Sequence, residues 1–252
     1  MTDAIVVGLW GLVAGSGLLV GAVAAEMFSK KLRHRTIAAV MGFGAGVQLA
    51  VVVGSLVGDA IRLDTGLWAI TALLAGAAMF SGINWYLARA GAKNRKRCGG
   101  CVAQPTEEQH RGSGTAIAVG SVLDGIPEAL VIGLSVMAGG ALGVGVIAGF
   151  FLANVPQGLS SAAGMKAAGR SRRYIFAIWT GIPLLIGASA ASGNLILGAA
   201  AAEAPVILAF AAGAVLAMLT ETVIPEAADD APPFIGFIAV GGFLASLLLV
   251  QQ

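Results

Sequence analysis

Two carboxylates, Asp124 and Glu128, stand four residues apart in the stretch LDGIPEAL, within a run that is otherwise apolar. On a helix this spacing places both on one face. Each acid costs about 2.5–3.5 kcal/mol at the centre of a membrane helix, and paired acids raise each other's pKa. Such a pair persists only if it shares a proton, meets a cation or faces water. Between them Pro127 cannot donate to the carbonyl of Leu123 and disfavours helical geometry at Ile126. A freed carbonyl beside two acids forms a set of hard oxygen donors, the chemistry of a cation or proton path.

A second stretch, LANVPQGL, repeats the pattern with amides: Asn154 and Gln157 are three apart, and Pro156 frees the carbonyl of Leu152. The turn between the stretches, around Gly139 to Gly143, is short, and the two prolines lie at matched depths from it. Interrupted helices at corresponding positions are the best sequence pointer to a transporter's binding site. Gln48, midway along GAGVQLA, adds a neutral oxygen or is satisfied by a neighbour.

The elements that must position these residues are membrane helices. Hydrophobic residues make up 58% of the chain and charged residues 11%, against about 25% charged in soluble domains. Eight runs approach the roughly 20 residues needed to span a bilayer, at about 4–25, 36–58, 65–88, 113–138, 140–165, 174–198, 204–226 and 232–251. The expectation is an all-α, polytopic, single membrane domain over 1–252: an eight-helix bundle with helices 4 and 5 kinked and a longer loop over 89–112. The first run follows Asp3 rather than a basic segment and reads as a retained span, not a signal peptide.

Every Lys and Arg except Arg62 falls on the connections between helices 1 and 2, 3 and 4, or 5 and 6. Short cytoplasmic loops carry that excess, so both termini are expected outside, in an inner or plasma membrane of bacterial type. The net charge of +2 is then a topology signal and a weak attraction to lipid headgroups, not a nucleic-acid footprint. Glycines four apart, such as Gly17 and Gly21 or Gly42 and Gly46, fit close helix packing, with a homodimer face as the alternative.

The remaining polar residues carry weaker signals. Glu221 and Glu226 are read at the outer end of helix 7, with Asp229 and Asp230 beyond them, as an acidic mouth or a solvated helix end. Glu26, four before Lys30, reads as a surface pair. Ser81 and Asn84 carry little information. Cys98 and Cys101, with His110 downstream, read as an ordinary loop, a metal-handling loop or a redox pair. No Ser and His or paired His motif lies in the spans, so an enzyme is not expected.

With eight spans, outside termini, a cytoplasmic 3–4 loop and two adjacent proline-bearing helices, the chain resembles the ZIP family of divalent metal permeases. GFGAGVQLA in helix 2 and AAGAVLAMLTETVIPEA in helix 7 are similar to that family's segments. The resemblance implies inward transport of a divalent metal such as zinc, iron or manganese. It also implies a cation path between helices 4 and 5, and an elevator-like movement of helices 1, 4, 5 and 6 against the others. No prosthetic group is implied. The family's helix 4 pattern of His-Asn-x-Pro-Glu-Gly is here Asp124, Gly125, Ile126, Pro127, Glu128 and Ala129. Its helix 5 pattern becomes Ala153, Asn154, Val155, Pro156, Gln157 and Gly158, and the helix 6 segment WTGIPLLIGA lacks an acid. The metal ligands expected are Asp124, Glu128, Asn154, Gln157 and Gln48. Such an all-oxygen set suits manganese, magnesium or ferrous iron better than zinc. The alternative is a relative that has lost metal transport and carries protons or another small solute, or regulates a partner.

Overall fold

The computed structural model describes residues 4–28, 33–57, 66–93, 95, 104–106, 108–138, 141–199, 203–228 and 231–250. Among them the chain is helical throughout, without strands. The helices are α1 (Ala4–Phe28), α2 (His34–Val51), α3 (Gly66–Leu87), α4 (Ser113–Ala138), α5 (Ala141–Ala167), α6 (Arg172–Ala199), α7 (Ala204–Met218) and α8 (Ile235–Val250). Wide π turns extend α2 over Val52–Val57 and α3 over Ala88–Ala92, and α7 continues through another, Leu219–Val223, into Ile224–Ala228. In hydrocarbon only internally hydrogen-bonded backbone is tolerated, which is why uninterrupted apolar runs become helices.

Seven of these helices are long and apolar enough to cross a membrane, so the chain is a multi-pass membrane protein. The eighth expected span, α8, has 16 residues, about 24 Å at 1.5 Å per residue. On α3, exposed Trp68 stands near one end and exposed Trp85 and Tyr86 near the other. Their separation is about 26 Å, close to the thickness of a bilayer core, and matches the aromatic belts of membrane interfaces. The Arg89 guanidinium lies 3.6 Å from the centre of the Trp85 ring.

Helix packing divides the bundle into two groups. The most extensive contacts join α1 to α5 and α6, α3 to α7, and α2 to α8, and α4 packs chiefly on α6. Glycines make these contacts close. A Cβ at Gly21 of α1 would overlap the carbonyl of Val155, and one at Gly158 of α5 would overlap that of Leu18. The same reciprocity joins Gly46 and Gly242 across α2 and α8, and Gly76 and Gly213 across α3 and α7. Between the groups the corresponding contacts fall on side chains: Gly44 meets the ring of Pro156, and Gly149 meets Val51. Helices α1, α4, α5 and α6 thus form one body and α2, α3, α7 and α8 another, with α2 against α5 and α4 against α7 as the seam.

Two expectations are corrected, those for Glu221 and Arg95. Glu221 does not sit at the opposite end from the basic loops. Its carboxylate accepts hydrogen bonds from Ser81 and Asn84, at the end of α3 that leads into the 89–112 connection. Alternation requires this, because the connection after the seventh of eight spans returns to the side of the first, third and fifth. Glu26 pairs across helices with Lys166 at 2.9 Å and Arg172 at 3.9 Å, tying the ends of α1, α5 and α6 together. Arg95, read only as a loop charge, is 1% exposed. Cys98, Cys101, Lys30, Asp229 and Asp230 lie outside the described residues.

Gly46→Val would force a branched side chain into the Ala239 carbonyl. It is expected to cost about 3 kcal/mol or more, seen as a lower thermal unfolding temperature in detergent. Gly82→Ala, where nothing lies within 4 Å, should leave that temperature unchanged.

Candidate functional site

Within the group formed by α1, α4, α5 and α6 lies a cleft lined by Leu18 of α1, Ser121, Asp124, Gly125 and Glu128 of α4, Asn154 and Gln157 of α5, and Trp179 of α6. The cleft is narrow, with a volume of about 10 Å³ open to a water-sized molecule. That is room for roughly one water or one small ion. Pro127 and Pro156 lie inside α4 and α5, which continue as helix on both sides of them.

Glu128 is 2% exposed and holds both carboxylate oxygens against amides. Gln48 of α2 donates to Oε1 at 2.7 Å, and Asn154 of α5 donates to Oε2 at 3.0 Å. Asn154 also donates to the Ala14 carbonyl at 3.2 Å, which fixes which of its atoms is the nitrogen. Gln157 donates to the Gln48 side-chain oxygen at 3.2 Å. The i, i+3 spacing of Asn154 and Gln157 puts both on the face that meets α4 and α2. Four of the five expected ligands therefore form a single hydrogen-bonded cluster, with Gln48 reaching it across the seam.

The fifth, Asp124, lines the same cleft but has a different partner. Arg95 donates Nε–H to Oδ2 at 3.1 Å and Nη2–H to Oδ1 at 2.8 Å. This is the two-pronged guanidinium–carboxylate geometry that makes the strongest ion pairs. The two acids thus have separate partners, and the cation that such a pair requires comes in part from the chain itself.

Arg95 reaches this depth because α3 is broken. Gly91 adopts φ 101° in the Ala88–Ala92 turn, a conformation open to glycine, and Arg95 lies against Asp124 of α4 and Ser161 of α5. The Arg95 carbonyl accepts hydrogen bonds from Gln104, at 2.8 Å, and from Ser161. Gly120, one turn before Asp124, leaves the room: a Cβ there would stand 2.6 Å from Arg95 Cδ. Farther out, Arg170 of the 5–6 connection donates to Ser113 at 2.6 Å and to the Pro105 carbonyl at 3.2 Å. Irregular backbone at this depth is tolerated because it is buried in protein.

The guanidinium has a second contact. Its Nη1 donates to the Asn84 side-chain oxygen at 2.7 Å, and the Asn84 nitrogen donates to Glu221 Oε2 at 2.7 Å. One amide therefore separates Arg95 from a second carboxylate, which is exposed. Burial works against the guanidinium charge, but Asp124, with smaller contributions from Glu226 and Glu221, outweighs it and raises the pKa above the ordinary arginine value.

Trp179 is 2% exposed, and its indole N–H has no hydrogen-bond partner among the described residues. A buried donor lining a polar cleft calls for a bound acceptor. Among the described residues no three His, Cys, Asp or Glu side chains gather where they could hold a metal ion. The donor set is two carboxylates and three amides, with one built-in cation.

Sequence reasoning did not find Arg95, Asn84, Trp179 or Gly120. For Arg95 a signal existed: a buried acid needs a cation, and a loop only 24 residues long held six of the fifteen basic residues. No protein-family model matches the chain, and no curated protein matches it.

Removing one partner of a buried ion pair leaves the other uncompensated. Asp124→Asn is expected to destabilise the protein by about 3–5 kcal/mol, and the double replacement Arg95→Met, Asp124→Leu to recover most of that loss. Thermal unfolding of the purified variants in detergent measures both.

Proposed function

We propose that the protein is a membrane transporter that carries a small cation, with divalent metals as its first substrate class. The observation that carries this reading is the convergence of two carboxylates and two carboxamides on one cleft, with a third carboxamide, Gln48, reaching Glu128 from the other helix group. A membrane protein keeps such a set at the cost of burying it. The cationic partner on Asp124 supports the sign of the charge the site favours.

The proposed mechanism is alternating access. Asp124 and Glu128 would be the charged ligands, and Gln48, Asn154 and Gln157 the neutral oxygens that take over from hydration water. The oxygen-only set suits manganese, magnesium or ferrous iron. A water retained by the ion would accept from Trp179. The two-group packing of the bundle suits a movement of α1, α4, α5 and α6 against α2, α3, α7 and α8. Likeness to the ZIP family, kinks in helices 4 and 5, and transport toward the cytoplasm belong to this same reading and come from the sequence resemblance.

A second reading, proton or small-solute carriage, is favoured by the Arg95–Asp124 pair. With Arg95 docked on Asp124, a proton on Glu128 is a smaller change to the cleft than entry of a divalent ion.

Initial rates of manganese, iron, magnesium, zinc, cobalt and cadmium entry into proteoliposomes test the proposal. Flux of at least one metal is expected, reduced about 100-fold or more in Asp124→Asn, Glu128→Gln, whose lost charges would together be worth several kcal/mol to a bound cation. Metal-independent proton flux through folded, inserted protein would replace the first reading with the second.

A further inference from the structure

Charge balance at the cleft singles out Arg95. Asp124 and Glu128 present two negative charges, and Arg95 cancels one of them in place. An ion that takes up Asp124 has to displace this guanidinium charge. A divalent ion at the Asp124 oxygens would compete with the guanidinium that donates to each of them, because the two cations repel.

Withdrawal of a buried guanidinium is costly unless another carboxylate receives it. Glu221 is placed for that role. It lies in the π turn of α7, and Asn84 links it to Arg95 through two bonds of 2.7 Å. Asp124 belongs to one helix group, whereas Asn84 and Glu221 belong to the other. The guanidinium therefore bridges the seam, and its choice of carboxylate is tied to the relative position of the two groups.

We infer that Arg95 is a specificity-determining residue, a tethered cation that competes with the carried ion for Asp124 and shifts toward Glu221 when a divalent ion binds. This rests on the cation-transport reading and adds to it the residue that sets the charge the site accepts.

Divalent binding to the purified full-length protein in detergent, measured by calorimetry with manganese(II), tests the inference. Arg95→Gln removes the competitor and is expected to bind manganese about tenfold tighter or more, given the size of one charge interaction at such distances. Glu221→Gln removes the waiting carboxylate and is expected to bind several-fold more weakly. Because Glu221 is exposed, that variant keeps the test open should Arg95→Gln fail to fold. Unchanged or weaker binding by folded Arg95→Gln, or unchanged binding by Glu221→Gln, overturns the inference while leaving the cation reading intact. Absence of binding by the wild type and both variants across manganese, magnesium, ferrous iron and zinc overturns the cation reading, and this inference with it.

Discussion

The fold depends on one constraint, that a charge in hydrocarbon must be answered by a partner at the same depth. Asp124 is answered by Arg95, and Glu128 by the amides of Gln48 and Asn154. The first answer shapes the chain. It requires α3 to break at Gly91, the connection to fold inward, and Gly120 to leave a gap on α4. The second requires α2 to meet α5 closely enough for Gln48 to reach across, and Gly44 against Pro156 provides that approach. Packing and electrostatics therefore specify the same arrangement.

Small residues and polar residues divide the labour. Within each helix group, glycine brings backbones into contact, and such surfaces resist displacement because any relative slide drives carbonyls into Cα atoms. Across the seam, contact is carried by the Pro156 ring, by Val51 and by hydrogen-bonded amides. Side chains can change rotamer and amides can exchange partners at modest cost. The polar cluster thus lies where the bundle is best able to yield.

The helices and most of the site were legible in the sequence for the same reason. Lipid punishes polar groups, so apolar runs announce spans, and Asp124, Glu128, Asn154, Gln157 and Gln48 stand out against them. The partnerships were less legible. Lys and Arg in a loop are normally read as topology signals, and nothing in local periodicity separates Arg95 from Lys93. The pairing depends on a break in the helix at Gly91, one of 37 glycines in the chain. Glu221 illustrates a different limit. Its side of the membrane followed from counting spans, but its link to Ser81 and Asn84 joins residues 137 and more positions apart and has no local signature.

Arg95 also bears on why this site can lack the imidazoles expected by resemblance to the ZIP family. A neutral histidine ligand leaves a carboxylate site with its full negative charge when no ion is bound, and that charge must then be neutralised by protons or water. A tethered guanidinium neutralises half of the acidic pair without either. The bundle can therefore hold Asp124 ionised in a cleft with room for about one water. On the proposed reading, the same residue that stabilises the cleft would set the electrostatic threshold an entering ion has to exceed. A monovalent ion gains little by displacing an equal charge that is already bidentate and attached to the protein. A divalent ion offers twice the charge to the same oxygens, and Asn84 and Glu221 lower the cost of the exchange.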